Sequence, residues 1–282
     1  MPMPDPFQDA DTAATLDTEE AKAQQLVSPV IRGLRLLRFI AEGGSTANLS
    51  EVGRRIDVNR VTVMRLLATL EHEGMLERLP QGGHEVGFGF LKLASRVLAA
   101  NDLTTFARRV LARLSGSLQL SAYLVVLDGG HALYLLRDMP NTALVSNIQV
   151  GSRVAAHLTT PGRMLIAHLP PEALRALLGD DPLPTVTGQS PATHSRLADI
   201  LAADRERGCA WSFSAYEAGI DSCAAPVYGD GGDVIAAISV AGPQQRFEAD
   251  GALRERAERE VKTATRDLSE LLGHRSNVGS RR

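Results

Sequence analysis

Cysteine is scarce in this chain: Cys209 and Cys223 are the only two among 282 residues. They form no CxxC pair, which excludes a disulfide scaffold and points to a reducing, cytoplasmic setting. Aromatic residues make up 4%, too few for an aromatic-packed β-sandwich and better suited to Ala/Leu-rich helices. No apolar run reaches the ~18 residues of a membrane span. Net charge is −3, so the molecule as a whole is no nonspecific polyanion binder, although a local basic patch is compatible with it. The opening MPMPDPFQDADTAATLDTEEAKAQQ lacks the basic start and apolar stretch of a signal peptide. It is rich in Pro and acid, so residues 1–25 are expected to form a disordered tail, as are residues 276–282.

Hydrophobic residues make up 44% of the chain, enough for a sizeable core in one large domain or two smaller ones. Order is expected from Ser28-Pro29, a hydroxyl cap followed by proline at the first helical position. That helix runs to Gly43-Gly44. Val30, Ile31, Leu34, Leu37 and Ala41 make one apolar face, and Leu36, Phe39 and Ile40 lie outside it, so two packing surfaces are expected. A shorter helix follows Ser50, with Gly53 placed for a close neighbour. Asp57 tolerates a left-handed turn, and Asn59 is a good N-cap for a third helix. Val63, Leu66, Leu67 and Leu70 form that helix's apolar face. MLERLPQGGHEVG then reads as a hairpin.

The third helix begins with Arg60, Thr62 and Arg65, where the peptide dipole favours acids. Helix, helix, tight turn, helix and hairpin make a winged helix-turn-helix, whose third helix enters the DNA major groove. An outside partner then explains the charge: Arg60 and Arg65 meet phosphates and guanines, and Val61 can touch a thymine methyl. Arg54 and Arg55 add phosphate contacts, and the turn around Gln81-Gly82-Gly83-His84 is the wing, with His84 a further DNA contact. The plainer alternative is a three-helix packing module with solvated arginines.

Downstream, residues 88–100 read as a connecting helix and Asn101-Asp102 as the cap of another. SAYLVVLDGGHALYLLRD is a two-strand hairpin around Asp-Gly-Gly, and ALVSNIQVG a further strand. Helices are expected near 160–168, 171–178 and 192–207, strands at 209–213, 220–228 and 234–241, and a charged helix over roughly 249–272. Strands clustered between helices imply an α+β domain.

SEVGRRIDVNRVTVMRLLATLEHEGMLER resembles the N-terminal domain of the IclR family of bacterial transcriptional regulators. The resemblance continues through HLTTPGRMLIAHLP and AGIDSCAAPVYGDGGDVIAAISVAGP, and so covers nearly everything from 28 to 272. It implies a winged helix-turn-helix over 26–87, a linker helix over 88–101 and a GAF-like effector-binding domain with an antiparallel sheet over 102–275. It further implies a dimer or tetramer on a partly palindromic operator of a catabolic operon, with a small organic acid as effector and no cofactor. The family commonly carries Lys-Ser-Thr-Val where this chain has Arg60-Val61-Thr62-Val63, so the DNA sequence read differs.

The effector residues that the resemblance carries over are Thr160, Pro161, Ser212, Ser222, Ser239 and Ala241. Thr160-Pro161 has the form of a helix start, so the N–H groups of Gly162 and Arg163 are expected to favour an anion. Pro161 supplies no N–H. Ser212 stands where some relatives carry Asp, and Ala241 where some carry Ser. Trp211, Phe213 and Tyr216 cluster in a chain poor in aromatics, which suggests an aromatic acid. Ordinary packing explains them equally well, since alternation points Trp211 and Phe213 away from Ser212.

Other sites are weaker. The seven histidines form no HxxxH or HExxH and no Cys/His metal spacing, and His157 reads as a hydrogen-bonding residue. GFGFLK lacks the third glycine of a dinucleotide loop. The Arg/Glu run at 253–260 is a solvated helix face. Two alternatives stay open: a small-acid hydrolase using Cys223 or Ser222, which lacks a His and a carboxylate at recognisable spacing, and a sensor that no longer binds DNA.

Overall fold

The computed structural model describes residues 26–99, 102–140, 146 and 148–274. The expected tails at 1–25 and 276–282, and the Asn101 part of the predicted cap, lie outside the described residues. Contacts divide the chain into two compact units between Val97 and Leu98.

The first unit holds α1 (Ser28–Ala41), α2 (Leu49–Ile56), α3 (Arg60–His72), the strands β1 (Leu76–Arg78) and β2 (His84–Val86), and the start of α4 (Phe88–Ala99). Local chemistry sets its turns. The Asn48 side chain caps α2 by accepting from the N–H groups of Ser50 and Glu51. Asp57 takes the left-handed conformation at φ 56°, ψ 55°, which only short polar residues and glycine adopt readily. Asn59 caps α3, its Oδ1 accepting from the Thr62 N–H at 2.8 Å. Gly53 is required because a Cβ there would lie 2.5 Å from the Val58 carbonyl oxygen. The close neighbour is therefore the turn backbone, not another helix.

Leu36, Ile40, Val52, Ile56, Val63, Leu67 and Leu76 close the core of this unit. The first helix is two-sided as expected, but with the sides exchanged: Leu36 and Ile40 face the core, while Val30 and Leu34 are exposed. It begins at Ser28 after Val27, with no side-chain cap, so Ser28 does not serve as the predicted cap. The wing pairs Leu76 with Val86 and Arg78 with His84. Gly89 approaches the Gly74 carbonyl, donating its N–H at 2.9 Å, and this close approach accounts for a glycine of GFGFLK.

The second unit is built on a six-stranded antiparallel sheet. Its strands are β3 (Ser121–Asp128), β4 (His131–Asp138), β5 (Arg153–Ala155), β6 (Ala210–Phe213), β7 (Ile220–Tyr228) and β8 (Val234–Pro243), in the spatial order β5-β4-β3-β8-β7-β6. Helices α5 (Asp102–Leu118) and α10 (Leu253–Leu271) cover one face, where Leu111, Leu114, Leu118, Val261 and Leu268 meet Leu124, Val227 and Ile238. Period-two alternation sends Tyr123, Val125, Ala224, Ala237 and Ala241 to the opposite face, against Met164 and Leu165 of α6 (Thr160–Ile166). Alanines in the middle strands let helices approach both faces closely, which fits a chain poor in aromatics.

Helices α7 (Pro171–Leu178) and α8 (His194–Arg207) complete the unit with a separate small core around Leu174, Leu197 and Leu201. One expectation is corrected. Among the described residues, Ser146 and 148–151 form no strand, and the edge strand is β5. The charged final helix is α10, as expected, and a short α9 (Gln244–Ala249) that was not expected precedes it.

Candidate functional site

In the first unit, α3 presents Arg60, Val61, Met64 and Arg65 to solvent. The periodicity argument named three of these and missed Met64, which is 51% exposed. Arg54 and Arg55 are exposed at the end of α2. Among the described residues, none of these four arginines takes part in the ion pairs of the unit, which join Arg78 and His84 to Glu71. Thr62 is less free than expected: its hydroxyl donates to Asn59 Oδ1 at 3.0 Å, so it is part of the cap.

His84 is the clearest departure. Its Nδ1 lies 2.8 Å from Thr46 Oγ1 and its Nε2 3.0 Å from Glu71 Oε1, with the side chain 9% exposed. It ties the wing to α3 instead of projecting from it as a DNA contact. Arg78 hydrogen-bonds the same carboxylate, and that bond is the largest influence holding Glu71 below the usual carboxylate range.

In the second unit a cavity lies between the N-terminal end of α6 and the sheet. It is lined by Thr160, Pro161, Ser212, Ser222, Ser239 and Ala241, so all six positions carried over by the resemblance converge on one space. Sheet register does this: Ser212 pairs with Ser222, Ser222 with Ala241, and Ser239 with Ala224 and Tyr123. The Thr160 and Ser222 hydroxyls are 3.1 Å apart and share a hydrogen bond.

Gly162 is the exception. A Cβ there would run into the Ala156 carbonyl, so this residue packs against backbone and is absent from the lining. The predicted anion donors are also corrected. The cap of α6 is Thr159, not Thr160, and its hydroxyl accepts the Gly162 N–H at 3.2 Å. Its carbonyl accepts the Arg163 N–H at 2.9 Å. Both N–H groups are thus satisfied within the protein.

Other lining groups were missed: Tyr123, Tyr134, Ser146, Thr159, Ile148 and Glu217. Tyr123 and Tyr134 meet edge-on with ring centroids 5.5 Å apart. Burial pushes both phenols above their ordinary value, so both are neutral. The Tyr123 hydroxyl, on a side chain only 1% exposed, has no hydrogen-bond partner among the described residues. Glu217 Oε2 accepts from the Ser146 hydroxyl at 2.7 Å. Among the described residues it is the one charged side chain of the lining. Water can occupy about 30 Å³ of this space, roughly two molecules' worth.

Of the three aromatics noted near β6, only Tyr216 lines the cavity. Trp211 and Phe213 stack at 5.8 Å, and the Trp211 indole N–H donates to Glu258 at 2.9 Å. The strand's alternation therefore decides their direction. Nothing in the cavity resembles a nucleophile with its base. Ser222 shares its bond with Thr160, and the Cys223 thiol is buried, which pushes its pKa well up. Among the described residues, no group of three or more His, Cys, Asp or Glu is placed to hold a metal, and no helix is long and apolar enough to cross a membrane.

Comparison with known proteins agrees with this division. Residues 29–80 match the family model described as "IclR helix-turn-helix domain", and residues 95–270 the model described as "Bacterial transcriptional regulator IclR C-terminal". The transcriptional repressor IclR of Escherichia coli (strain K12) is 26% identical over 252 residues, which span 86% of this chain and 92% of that protein. The Pca operon regulatory protein of Acinetobacter baylyi is 26% identical over 229 residues, 79% of this chain and 81% of that protein. Among solved structures, an IclR homologue from Microbacterium hydrocarbonoxydans complexed with 4-hydroxybenzoate aligns with a TM-score of 0.77 at 26% identity. That alignment covers 86% of this chain and 98% of the other.

Proposed function

The chain belongs to the IclR family of bacterial transcriptional regulators, and from that premise we propose that it is a cytoplasmic, ligand-responsive regulator of a catabolic operon. It binds a partly palindromic operator through α3, and a small organic acid held in the hydroxyl-lined cavity changes its operator affinity. The observation that carries this reading is the convergence of Thr160, Ser212, Ser222 and Ser239 on one cavity without a nucleophile–base pair. Such a site is equipped to bind a small polar ligand. Arg54, Arg55, Arg60 and Arg65, exposed and outside the ion pairs among the described residues, supply the other half of a regulator.

The positive α3 end is made useful by a polyanion outside the protein. One winged helix reads only a short half-site, so specificity needs at least two copies. Exposed Val30 and Leu34 on α1 and Phe90 and Leu93 on α4 support a homodimer or tetramer. The name of the Acinetobacter relative and the aromatic acid in the Microbacterium structure support an operon target and an acid effector, an aromatic acid among them.

An acid larger than two waters enters only if lining side chains rearrange. That rearrangement is a ready source of the differential affinity on which any coupling to DNA depends. The experiment is a gel-shift titration of the full-length protein on DNA flanking its own gene, with and without small carboxylates. A specific complex whose affinity shifts about 5- to 150-fold with one acid is expected. DNA binding no tighter than to random sequence, or a shift with none of the acids, would overturn the reading.

A further inference from the structure

We propose that the acidic N-terminal segment of this chain, residues 5–20, competes with DNA for the exposed arginines of α2 and α3. The inference rests on α3 being the DNA-binding element and goes on to name a regulation of that same surface.

Charge is unevenly divided along the first part of the chain. Residues 1–25 hold six carboxylates, Asp5, Asp9, Asp11, Asp17, Glu19 and Glu20, against one base, Lys22. Residues 49–65 reverse the balance, with four arginines against Glu51 and Asp57. Those arginines, Arg54, Arg55, Arg60 and Arg65, are exposed and, among the described residues, stand outside the ion pairs of the unit. The chain therefore carries, before α1, a polyanion that matches the charge of a DNA backbone.

Position makes the match effective. Pro29 and Val30, at the start of α1, line one groove with Thr62 and Arg65 of α3. The segment that leads into α1 is thus tethered beside the end of α3 that meets DNA. Glu20 is six residues from Leu26, a reach of up to about 20 Å. Asp5 is 21 residues away and reaches up to about 70 Å. The 13 residues of α3 rise only about 20 Å. Tethering gives the carboxylates a local concentration of millimolar order at the arginines. Each exposed ion pair is weak by itself, but DNA phosphates need the same guanidinium groups free. Apparent DNA affinity then falls by the fraction of molecules in which they are free. The competition is with phosphate contacts and reads no base, so it weakens operator and random DNA by a common factor.

The test is fluorescence anisotropy on the full-length protein with two labelled duplexes, DNA flanking its own gene and a random sequence. The variant replaces the segment's charge and keeps its length: Asp5→Asn, Asp9→Asn, Asp11→Asn, Asp17→Asn, Glu19→Gln and Glu20→Gln. At about 50 mM salt it should bind both duplexes on the order of 10-fold tighter than wild type, with the ratio between them unchanged. At about 300 mM salt, where charges more than about 6 Å apart are largely screened, most of that gain should vanish. Arg54→Gln with Arg55→Gln, which removes two of the four cations, should shrink the gain at low salt. Equal affinities of wild type and variant at low salt, a gain that persists at high salt, or one undiminished by the arginine substitutions overturns the competition while leaving α3 as the DNA-binding element. A change of mass in light scattering on neutralising the segment places it at an interface between copies and overturns the competition as well. A neutralised variant that binds neither duplex overturns the DNA reading, and this inference with it.

Discussion

Replacing Arg163 with methionine should unfold the second unit at markedly lower denaturant. Arg163 leaves α6 on the side away from the cavity and is 5% exposed. Its Nε donates to Asp204 Oδ2 at 2.8 Å and its Nη2 to the Trp211 carbonyl at 2.6 Å. Burial pushes the Asp204 carboxyl above its ordinary value, and the Arg163 charge pulls it back. The other cation near it, Arg207, stands 3.7 Å away and is 44% exposed. Removing Arg163 therefore leaves a buried carboxylate with one distant, solvated partner, and a carbonyl with none from this side chain. Breaking a buried pair in this way costs about 3–5 kcal/mol. Replacing both partners by apolar side chains, Arg163→Met with Asp204→Leu, removes the stranded charge and should recover most of the loss.

Urea unfolding followed by fluorescence suits the question, because Trp211 is the single tryptophan and sits beside the pair. The sign of the pH effect is also set. With Arg163 gone, the folded pKa of Asp204 rises further above its unfolded value. The folded state then binds more protons, so the variant gains stability as pH falls through the folded pKa towards the unfolded value near ~3.9. A loss below about 1 kcal/mol in Arg163→Met, or a double variant as unstable as the sum of the singles, would refute the reasoning.

Three further outcomes are expected. Arg65→Ala should weaken operator binding by about 1–3 kcal/mol if the guanidinium reads a guanine; unchanged affinity in a gel shift of the folded variant removes Arg65 from the interface. His157, held below its ordinary imidazole value chiefly by burial, binds fewer protons folded than unfolded, so stability should fall as pH drops through ~6.5. Because Nε2–H donates to the Pro184 carbonyl at 2.8 Å while Nδ1 has no partner, His157→Gln should flatten that slope in melting curves, though His168, also lowered by burial, retains part of it; superimposable slopes would contradict this. Light scattering at micromolar concentration should give at least twice the chain mass of 30.2 kDa, and Leu34→Glu on the exposed side of α1 should shift the protein towards monomer; a wild-type monomer refutes the exposed faces as an interface.

Asn59, Asp57, the wing glycines and the Gly129-Gly130 hairpin turn do in the structure what their local chemistry implies. A cap or a turn is settled by atoms within about four residues of each other, so it can be read along the chain. The apolar face of α3 is legible for the same reason, since its period is built into one helix. The six positions named for the effector came by resemblance, and local pattern alone does not assemble them. Thr160 and Ser222 are 62 residues apart, Ser146 and Glu217 71, and Arg163 and Asp204 41.

Strand register and helix docking decide such meetings. They bring Tyr123 and Tyr134 into the cavity and turn Trp211 and Phe213 out of it. His84 follows the same rule: the hairpin could be read from its turn, but only the packing of the wing on α3 joined the imidazole to Thr46 and Glu71. Charge and hydroxyl content are properties of a sequence, whereas which of those groups are already satisfied depends on neighbours that only the folded chain brings within 3 Å or so of them.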